Sequence, residues 1–331
     1  MNNTIMLNLI LKFPAYVKRG YDLTDSSLNF DRKNIKSIVY AGMGGSALAG
    51  DILKEILSPV SKIGIEVVRN YDLPEYAGKD TFVIISSFSG NTEETISCFK
   101  SALKRGSKII AVSSGGEVEK LAKKNKITHI KLPVEIPPRT ALGMTLFALL
   151  KKIEAFYCDL KLSRMISDVI SRMDDYSYDI DTAKMLSKMM QNRIPIFYVD
   201  SSFSSVARRC ANQVSENAKH FAHFNLIPEM NHNEIVGLKM PENLNKSVVI
   251  FFLSFRQEHL KNRKRASIIK KIADENDFST ISVDFEDSNL LFNIVDSIIL
   301  FDLASYYLAL YNKVDAVEVK RISLLKKRMK K

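Results

Sequence analysis

The sequence predicts an α/β protein with two doubly wound parallel sheets, a helical connector and a helix at the end of the chain. Short apolar segments rich in β-branched residues alternate with longer amphipathic ones, which is the pattern of parallel strands joined by helices. This alternation occurs twice, over residues 37–131 and again from residue 194 onward. A chain of 331 residues can bury two cores, and we predict domains at 1–155 and 156–331.

Five strands are predicted in the first half of the chain and four in the second. They are residues 37–40, 65–69, 81–85, 108–113 and 127–130, then 194–199, 221–224, 248–253 and 280–283. Residues 140–190 are predicted to be the helical connector, with breaks near Asp159 and Asp174. Further helices are predicted near 203–219, 256–274, 290–312 and 318–330.

Composition indicates a soluble, cytoplasmic protein. The chain is 46% hydrophobic and 26% charged, and we expect no stretch long and apolar enough to span a bilayer. The N-terminus lacks the basic region of a signal peptide. Cys98, Cys158 and Cys210 are too widely spaced for a disulfide framework or a metal site, so we predict reduced thiols and no metal or cofactor.

The net charge of +11 raises the question of a nucleic-acid partner. Much of the basic excess lies in residues 261–271 and 320–331, on predicted surface helices. Aromatic residues are not interleaved with these charges, and no recognition-helix module is apparent. We therefore favour solvated helix faces and attraction of anionic substrates, with neither a nucleic acid nor a membrane as partner.

Two glycine-bearing loops each follow a predicted strand and precede a predicted helix. Residues 86–94, Ser-Ser-Phe-Ser-Gly-Asn-Thr-Glu-Glu, place hydroxyls beside the free N–H groups of a helix start, which suits a phosphate. Residues 42–46, Gly-Met-Gly-Gly-Ser, fit a dinucleotide fingerprint poorly and lack the lysine of a P-loop. Ligands of doubly wound sheets bind at the carboxyl ends of strands, so we expect one shared anion pocket.

Residues 86–94 also have a purely structural interpretation. Asn91 would be the N-cap of the following helix, and Glu94 would complete a capping box. This stretch alone favours the cap, whereas the second loop at the same sheet edge favours a phosphate pocket.

Three other residues are candidates for chemistry. Arg139 follows two prolines, which hold the backbone extended and present a guanidinium suited to bidentate contacts. Glu216 and His232 are side-chain types that transfer protons next to a carbonyl. Each also has an ordinary explanation, as an exposed cation, a surface helix residue and a turn residue respectively. These residues alone therefore leave the function open.

Six segments together resemble the bifunctional phosphoglucose/phosphomannose isomerase family, whose members carry two sugar-isomerase (SIS) domains. The segments are residues 42–46, 71–74, 87–95, 137–143, 216–219 and 231–237. They follow the family's order and span nearly the whole chain. The Pro-Pro-Arg block at 137–139 and the Asn-His-Asn-Glu block at 231–234 point to this family within the wider SIS group.

The resemblance implies where the substrate is held. In this family a sugar phosphate is gripped by loop hydroxyls of the first SIS domain. The matching residues are Ser46, Ser87, Ser89 and Thr92, with Gly45 letting the backbone approach. Arg139 would lie by the reacting carbons and stabilise the charge of an enediolate.

The resemblance also implies the catalytic roles. Glu216 would shuttle a proton between C1 and C2. His232, supplied by the partner subunit of a homodimer, would assist ring opening. Lys326 would act at the ring oxygen, because Ile322, Leu325 and Lys326 fit the family's ending. The implied activity is metal-independent interconversion of glucose 6-phosphate and fructose 6-phosphate, with mannose 6-phosphate as a second substrate.

Two alternative functions stay open, and the sequence departs from the family's pattern at two places. The alternatives are a regulator that only binds sugar phosphates and an isomerase of another sugar phosphate. The loop 200–204 has serines where the family usually has glycines, which could alter the pocket wall. The segment 314–318 lacks an expected proline, so the assignment of Lys326 rests on the helix pattern alone.

Overall fold

A computed structural model describes residues 3–134 and 137–329. The chain forms two compact units. The first unit contains residues 12–176; the second contains residues 177–329 and the first helix of the chain, α1 (Asn3–Leu11). The predicted ranges were 1–155 and 156–331. In the structure the boundary lies after residue 176, and residues 3–11 belong to the second unit.

The first unit is built on a five-stranded parallel sheet. Its strands are β1 (Ser37–Gly42), β2 (Gly64–Val68), β3 (Thr81–Ser86), β4 (Lys108–Ser113) and β5 (Thr128–Lys131). Their order across the sheet is β2-β1-β3-β4-β5. The central strands β1 and β3 are buried almost throughout, as expected for near-continuous apolar segments covered by helices on both faces.

Among the described residues of the first unit, six α-helices accompany this sheet. They are α2 (Phe13–Asp22), α3 (Gly44–Leu57), α4 (Glu93–Arg105), α5 (Gly116–Lys124), α6 (Leu142–Tyr157) and α7 (Leu160–Arg172). The predicted break near Asp159 is confirmed, because its side chain accepts hydrogen bonds from the backbone N–H of Lys161 (2.8 Å) and Leu162 (3.0 Å) and so starts a new helix. Helices α2 and α6 both pack against α7, which explains why the first unit extends past residue 155.

The second unit repeats the arrangement with four parallel strands. They are β6 (Ile194–Asp200), β7 (His223–Ile227), β8 (Val248–Phe255) and β9 (Ser279–Phe285), in the order β7-β6-β8-β9. This order matches β2-β1-β3-β4 of the first sheet, so the prediction of two doubly wound sheets is confirmed. Its later helices are α8 (Ile180–Met190), α9 (Ser204–Ala218), α10 (Leu244–Ser247), α11 (Leu260–Glu275), α12 (Leu290–Tyr311) and α13 (Lys320–Met329). Residue 330 of the predicted last helix lies outside the described residues.

Helix α12 corrects one expectation about membranes. By length and composition its 22 residues could span a bilayer, contrary to the prediction that no stretch could. In the second unit, however, 78% of its most apolar window is buried. It packs against α8, α9 and α1, so its apolar surface forms the interior of the second unit.

One glycine of the first unit yields a stability prediction. A Cβ on Gly20 of α2 would lie 2.5 Å from the backbone oxygen of Met144 in α6. Since backbone atoms cannot rotate away, Gly20→Ala must push the two helices apart, at a cost of about 1–3 kcal/mol. Gly64→Ala is the matched control, because a Cβ at Gly64 would have no neighbouring atom of the described residues within 4 Å. Urea unfolding should show a lower midpoint for the first variant only; equal midpoints would contradict the close approach.

Candidate functional site

The carboxyl edge of the first sheet is where a ligand is expected to bind. Strands β1 and β3 are neighbours, and the chain leaves them toward opposite sides of the sheet, which makes this the topological switch point. Both predicted phosphate loops start here: residues 42–46 begin at the last residue of β1, and residues 87–92 follow β3. The structure thus places both loops at the expected edge.

The two loops form one continuous surface. Gly42 is paired with Ser86 across the strands, and a Cβ on Gly42 would lie 2.9 Å from the oxygen of Ser86. Only glycine allows this close approach. The backbone N–H of Phe88 donates to Ser46 Oγ at 3.2 Å, which joins the loops directly.

Hydroxyls and helix starts converge on this surface. Ser87 Oγ and Thr92 Oγ1 share a hydrogen bond of 2.9 Å, and Ser89 is exposed. Helix α4 begins after Thr92 and α3 begins after Met43, and among the described residues no side chain caps either helix. Such starts present partly positive N–H groups to an anion.

The capping prediction for residues 86–94 is wrong. The N-cap of α4 is Thr92, whose hydroxyl bonds to Ser87 instead of to the helix. Asn91 is one residue too early to cap α4. Its Oδ1 accepts from the backbone N–H of Glu117 at 3.1 Å, in the first turn of α5.

Arg139 lies beside the first loop. It sits in a short 3-10 turn, Pro138–Thr140, and is only 7% exposed. A Cβ on Gly45 would lie 3.7 Å from both the Cα of Arg139 and the oxygen of Pro138, so this turn packs on the first turn of α3. The structure therefore brings six of the predicted residues together in the first unit: Gly45, Ser46, Ser87, Ser89, Thr92 and Arg139.

Sequence reasoning missed a third loop at this edge. Residues 113–116, Ser-Ser-Gly-Gly, run from the last residue of β4 to the first residue of α5 in the same strand–loop–helix arrangement. The signal was the same as for the other two loops, a strand followed by serine and glycine. Its hydrogen bonds run to the predicted phosphate loop at residues 87–92 and are described below.

Glu216 lies near the C-terminal end of α9 in the second unit and is half-buried. Lys219 ends this helix in a left-handed conformation, and its Nζ donates to the backbone oxygens of Glu216 (2.7 Å) and Asp315 (2.5 Å). Asn312 donates from Nδ2 to the backbone oxygen of Ala218 at 3.0 Å. The end of α9 is therefore tied to the segment that precedes α13.

Helix α9 is also held along its length. Arg209 forms a two-pronged ion pair with Asp302 of α12, with Nε–Oδ1 at 3.0 Å and Nη2–Oδ2 at 2.6 Å. The two side chains are 3% and 4% exposed. Two turns later Asn217 donates to Ser305 Oγ at 2.9 Å. These buried bonds fix the rotation of α9 about its axis and therefore the direction in which Glu216 leaves the helix.

His232 is exposed in the 3-10 turn Glu229–His232. The next turn is held to the sheet by Glu234, whose carboxylate accepts from the Tyr198 hydroxyl (2.7 Å) and from Asn225 Nδ2. Burial and this hydrogen bond raise the pKa of Tyr198 well above its usual value, so its hydroxyl remains a donor. Glu234 thereby anchors the loop that carries His232.

Lys326 lies on α13, where its side chain is exposed. Glu216, His232 and Lys326 thus occupy three different elements of the second unit. That they act together, and that His232 acts in a partner subunit, stay predictions.

The second sheet carries a different kind of edge at its own switch point. Strand β6 ends at Asp200, a buried carboxylate that accepts from the Ser202 N–H (2.8 Å) and from Asn262 Nδ2 (2.7 Å). Glu258, after β8, is also buried, and burial raises its pKa although Arg263 lies 2.8 Å away. Two carboxyl groups at this edge disfavour a phosphate.

Comparisons with known proteins also divide the chain into two domains. The SIS domain family matches residues 33–155, and the family described as bacterial phospho-glucose isomerase C-terminal SIS domain matches residues 179–329. A bifunctional phosphoglucose/phosphomannose isomerase of Caldicellulosiruptor bescii is 32% identical, covering 98% of each chain. A D-glucosamine-6-phosphate 4-epimerase of Sulfolobus acidocaldarius is 30% identical over 61% of this chain and 64% of its own.

A solved structure shares the fold at low sequence identity. The C-terminal domain of glucosamine-fructose-6-phosphate aminotransferase from Francisella tularensis superposes with a TM-score of 0.73 at 15% identity. The match covers 95% of this chain and 98% of that domain. At this identity the likeness supports the architecture of two SIS-type units and nothing finer.

Proposed function

Because the chain belongs to the bifunctional phosphoglucose/phosphomannose isomerase family, we propose that it interconverts glucose 6-phosphate and fructose 6-phosphate, with mannose 6-phosphate as a second substrate. Family membership makes it a sugar-phosphate isomerase. The observation that carries the finer proposal is the pair of joined loops beside Arg139 at the switch point of the first sheet. Each loop leads into a helix whose start no side chain caps among the described residues.

The phosphate is held at these loops in our proposal. Ser46, Ser87, Ser89 and Thr92 donate from their hydroxyls, and the first N–H groups of α3 and α4 add partial positive charge. Gly45 leaves room for the backbone to approach the ligand. Since the phosphate does not react, this contact uses remote binding energy to orient the reacting carbons.

The chemical step is a proton transfer. The Glu216 carboxylate removes the C2 proton of open-chain glucose 6-phosphate, and the electrons of that bond form the C1–C2 double bond of a cis-enediolate. Return of the proton to C1, with transfer of the O2 hydroxyl proton to O1, gives fructose 6-phosphate. The guanidinium of Arg139 stabilises the charge on the enediolate oxygens. Reprotonation of C2 on its other face gives mannose 6-phosphate.

Two further residues assist ring opening in the proposal. His232, from the partner subunit of a homodimer, and Lys326 move protons at the sugar ring so that the open-chain form is released. The carboxylate, the imidazole and the cations suffice for this chemistry, and the reaction is proposed to need no metal or other cofactor.

A coupled assay that reports glucose 6-phosphate formed from fructose 6-phosphate tests the proposal. Turnover in the presence of EDTA is the expected result, and mannose 6-phosphate should also be converted. Binding of fructose 6-phosphate without conversion would instead support a regulator. Consumption of D-glucosamine 6-phosphate with no conversion of fructose 6-phosphate would move the activity toward that of the Sulfolobus relative.

Two single substitutions should separate phosphate binding from catalysis. Ser89→Ala removes one hydrogen bond to a charged group, so we expect KM to rise about tenfold with little change in kcat. Arg139→Ala should instead lower kcat by about 10²-fold or more, because it removes charge stabilisation in the transition state. Steady-state kinetics on both variants would give the two parameters. An exchange of these patterns would overturn the two roles.

A further inference from the structure

The loop Ser113–Gly116, which we call the third loop, is bonded through Ser114 to residues 87–92, which we call the phosphate loop. Ser114 donates from both its N–H (2.8 Å) and its Oγ (2.7 Å) to the backbone oxygen of Phe88. Earlier in the chain, the N–H of Ser87 donates to the oxygen of Val112 at 3.0 Å. Ser87 and Phe88 are thus fixed at the backbone by strand β4 and the loop that follows it.

The first turn of α5 continues this attachment. Its N–H groups at Glu117 and Val118 donate to Asn91 Oδ1 (3.1 Å) and to the backbone oxygen of Gly90 (3.0 Å). The phosphate loop therefore caps α5, and α5 in return holds Gly90 and Asn91. An anion is not needed to satisfy these two donors, so the start of α5 supports the phosphate loop, unlike the starts of α3 and α4.

The two loops interlock at their glycines. Gly90 and Gly116 have φ angles of +68° and +69°, which side-chain-bearing residues rarely adopt. A Cβ on Gly90 would lie 1.8 Å from the oxygen of Gly115. A Cβ on Gly116 would lie 2.6 Å from the oxygen of Ser89 and 2.7 Å from Asn91 Oδ1. Neither loop can therefore gain a side chain there without displacing the other.

A half-buried histidine, His129, is hydrogen-bonded to the first residue of the third loop. Ser113 Oγ donates to the oxygen of Gly115 at 2.9 Å, and His129 Nε2 lies 2.8 Å from the same hydroxyl. Because Ser113 uses its own proton toward Gly115, its oxygen can accept from His129. Burial lowers the pKa of His129, so a neutral ring with a proton on Nε2 fits this position.

We propose that the third loop positions the phosphate loop, and that Ser114 and Gly116 set the affinity for the sugar phosphate without touching it. The inference rests on the proposed phosphate site. Its mechanism is preorganisation: the hydroxyls and N–H groups around Ser87 and Ser89 are held in the geometry that binds a phosphate, so no ordering cost is incurred on binding. The third loop is in this sense a positioning element and not a catalytic one.

Gly116→Ala is the direct test, with Gly106→Ala as its control. Gly106 ends α4 with φ +72°, and a Cβ there meets only the flexible side chain of Lys79, at 3.4 Å. Both variants therefore carry the same backbone penalty, and only Gly116→Ala collides with the phosphate loop. Titration with fructose 6-phosphate should show a Kd raised about tenfold or more for Gly116→Ala, the worth of a misplaced hydrogen bond to a charged group. The control should bind like the wild type.

A milder pair keeps the test decisive if Gly116→Ala does not fold. Ser114→Ala removes one bond to Phe88, whereas Ser107→Ala removes a buried hydroxyl that has no hydrogen-bond partner among the described residues. We expect a higher KM and Kd for Ser114→Ala with nearly unchanged kcat and melting temperature, and neither change for Ser107→Ala. Equal effects of the two substitutions, or a lower kcat with unchanged Kd, would overturn the positioning role.

The failure of the proposed function is distinguishable from the failure of this inference. A wild-type protein that binds fructose 6-phosphate without converting it would refute the isomerase proposal, while the Kd comparison would still judge the third loop. A wild-type protein that converts fructose 6-phosphate, with Gly116→Ala and Gly106→Ala binding equally well, would refute only the positioning role.

Discussion

Glu216→Gln is expected to reduce isomerase turnover by about 10²–10⁴-fold or more, because it removes the base that takes the substrate proton. Glutamine keeps the size and hydrogen-bonding oxygen of glutamate but cannot accept a proton at neutral pH. The phosphate loops lie in the other unit and are unchanged, so fructose 6-phosphate should still bind. Turnover in the coupled assay and a Kd from calorimetry give the two quantities.

The matched control is Glu275→Gln, the same change of charge at the exposed end of α11 in the same unit. It should leave both turnover and binding at wild-type values. A sharper measurement follows exchange of the C2 proton of glucose 6-phosphate with solvent deuterium, which should stop in Glu216→Gln and continue in the control. Retained turnover in Glu216→Gln would remove this residue from the base role.

Asp302→Ala is expected to destabilise the second unit by about 3–5 kcal/mol, since it leaves the Arg209 guanidinium buried without its carboxylate. The pair joins α9 to α12, and both side chains are almost fully buried. The effect should appear as a large drop in the melting temperature of this unit. It should also lower activity in the fraction that stays folded, because α9 carries Glu216.

Two controls separate this ion pair from general charge effects. Asp181→Asn breaks a pair with Lys184 at 3.9 Å in which the aspartate is fully exposed, and such pairs contribute about 0–1 kcal/mol. Replacing both partners by apolar residues, Arg209→Met with Asp302→Leu, should recover much of the stability lost in Asp302→Ala. If Asp302→Ala unfolds at the same temperature as Asp181→Asn, the pair does not hold α9.

The architecture was predictable because the inner strands of both sheets, β1, β3, β4, β6 and β8, are mostly buried. Such strands read as short continuous apolar segments, so β4 at residues 108–113 was predicted to the residue. Strand β7 was predicted two to three residues too early. It lies at the edge of its sheet and is half-exposed, and the polar residues His223 and Asn225 interrupt the apolar segment that would have marked it.

The candidate site was predictable only in part. Residues 42–46 and 86–94 share a local strand–loop–helix pattern, and topology then brings them together. The role of Asn91 depends instead on the register between two loops, since it caps a helix that starts 25 residues later, and no local spacing reveals that. Arg139 and Glu216 were candidates by residue type and neighbouring sequence, each with an ordinary explanation beside it, and only the family resemblance implied their roles.

The contact between α1 and α12 has a consequence for synthesis of the chain. Asn3 donates to the backbone oxygen of Val314 (3.2 Å) and accepts from the N–H of Ala316 (2.9 Å), and α1 packs on α12. On the ribosome, residues 12–176 can fold as soon as they emerge, because domains generally fold in the order of synthesis. Helix α1 can reach its final contacts only after α12 and residues 314–316 have been made. In a nascent chain stalled before residue 290 the segment of α1 therefore has no α12 to pack against, so we expect the second unit to be completed last.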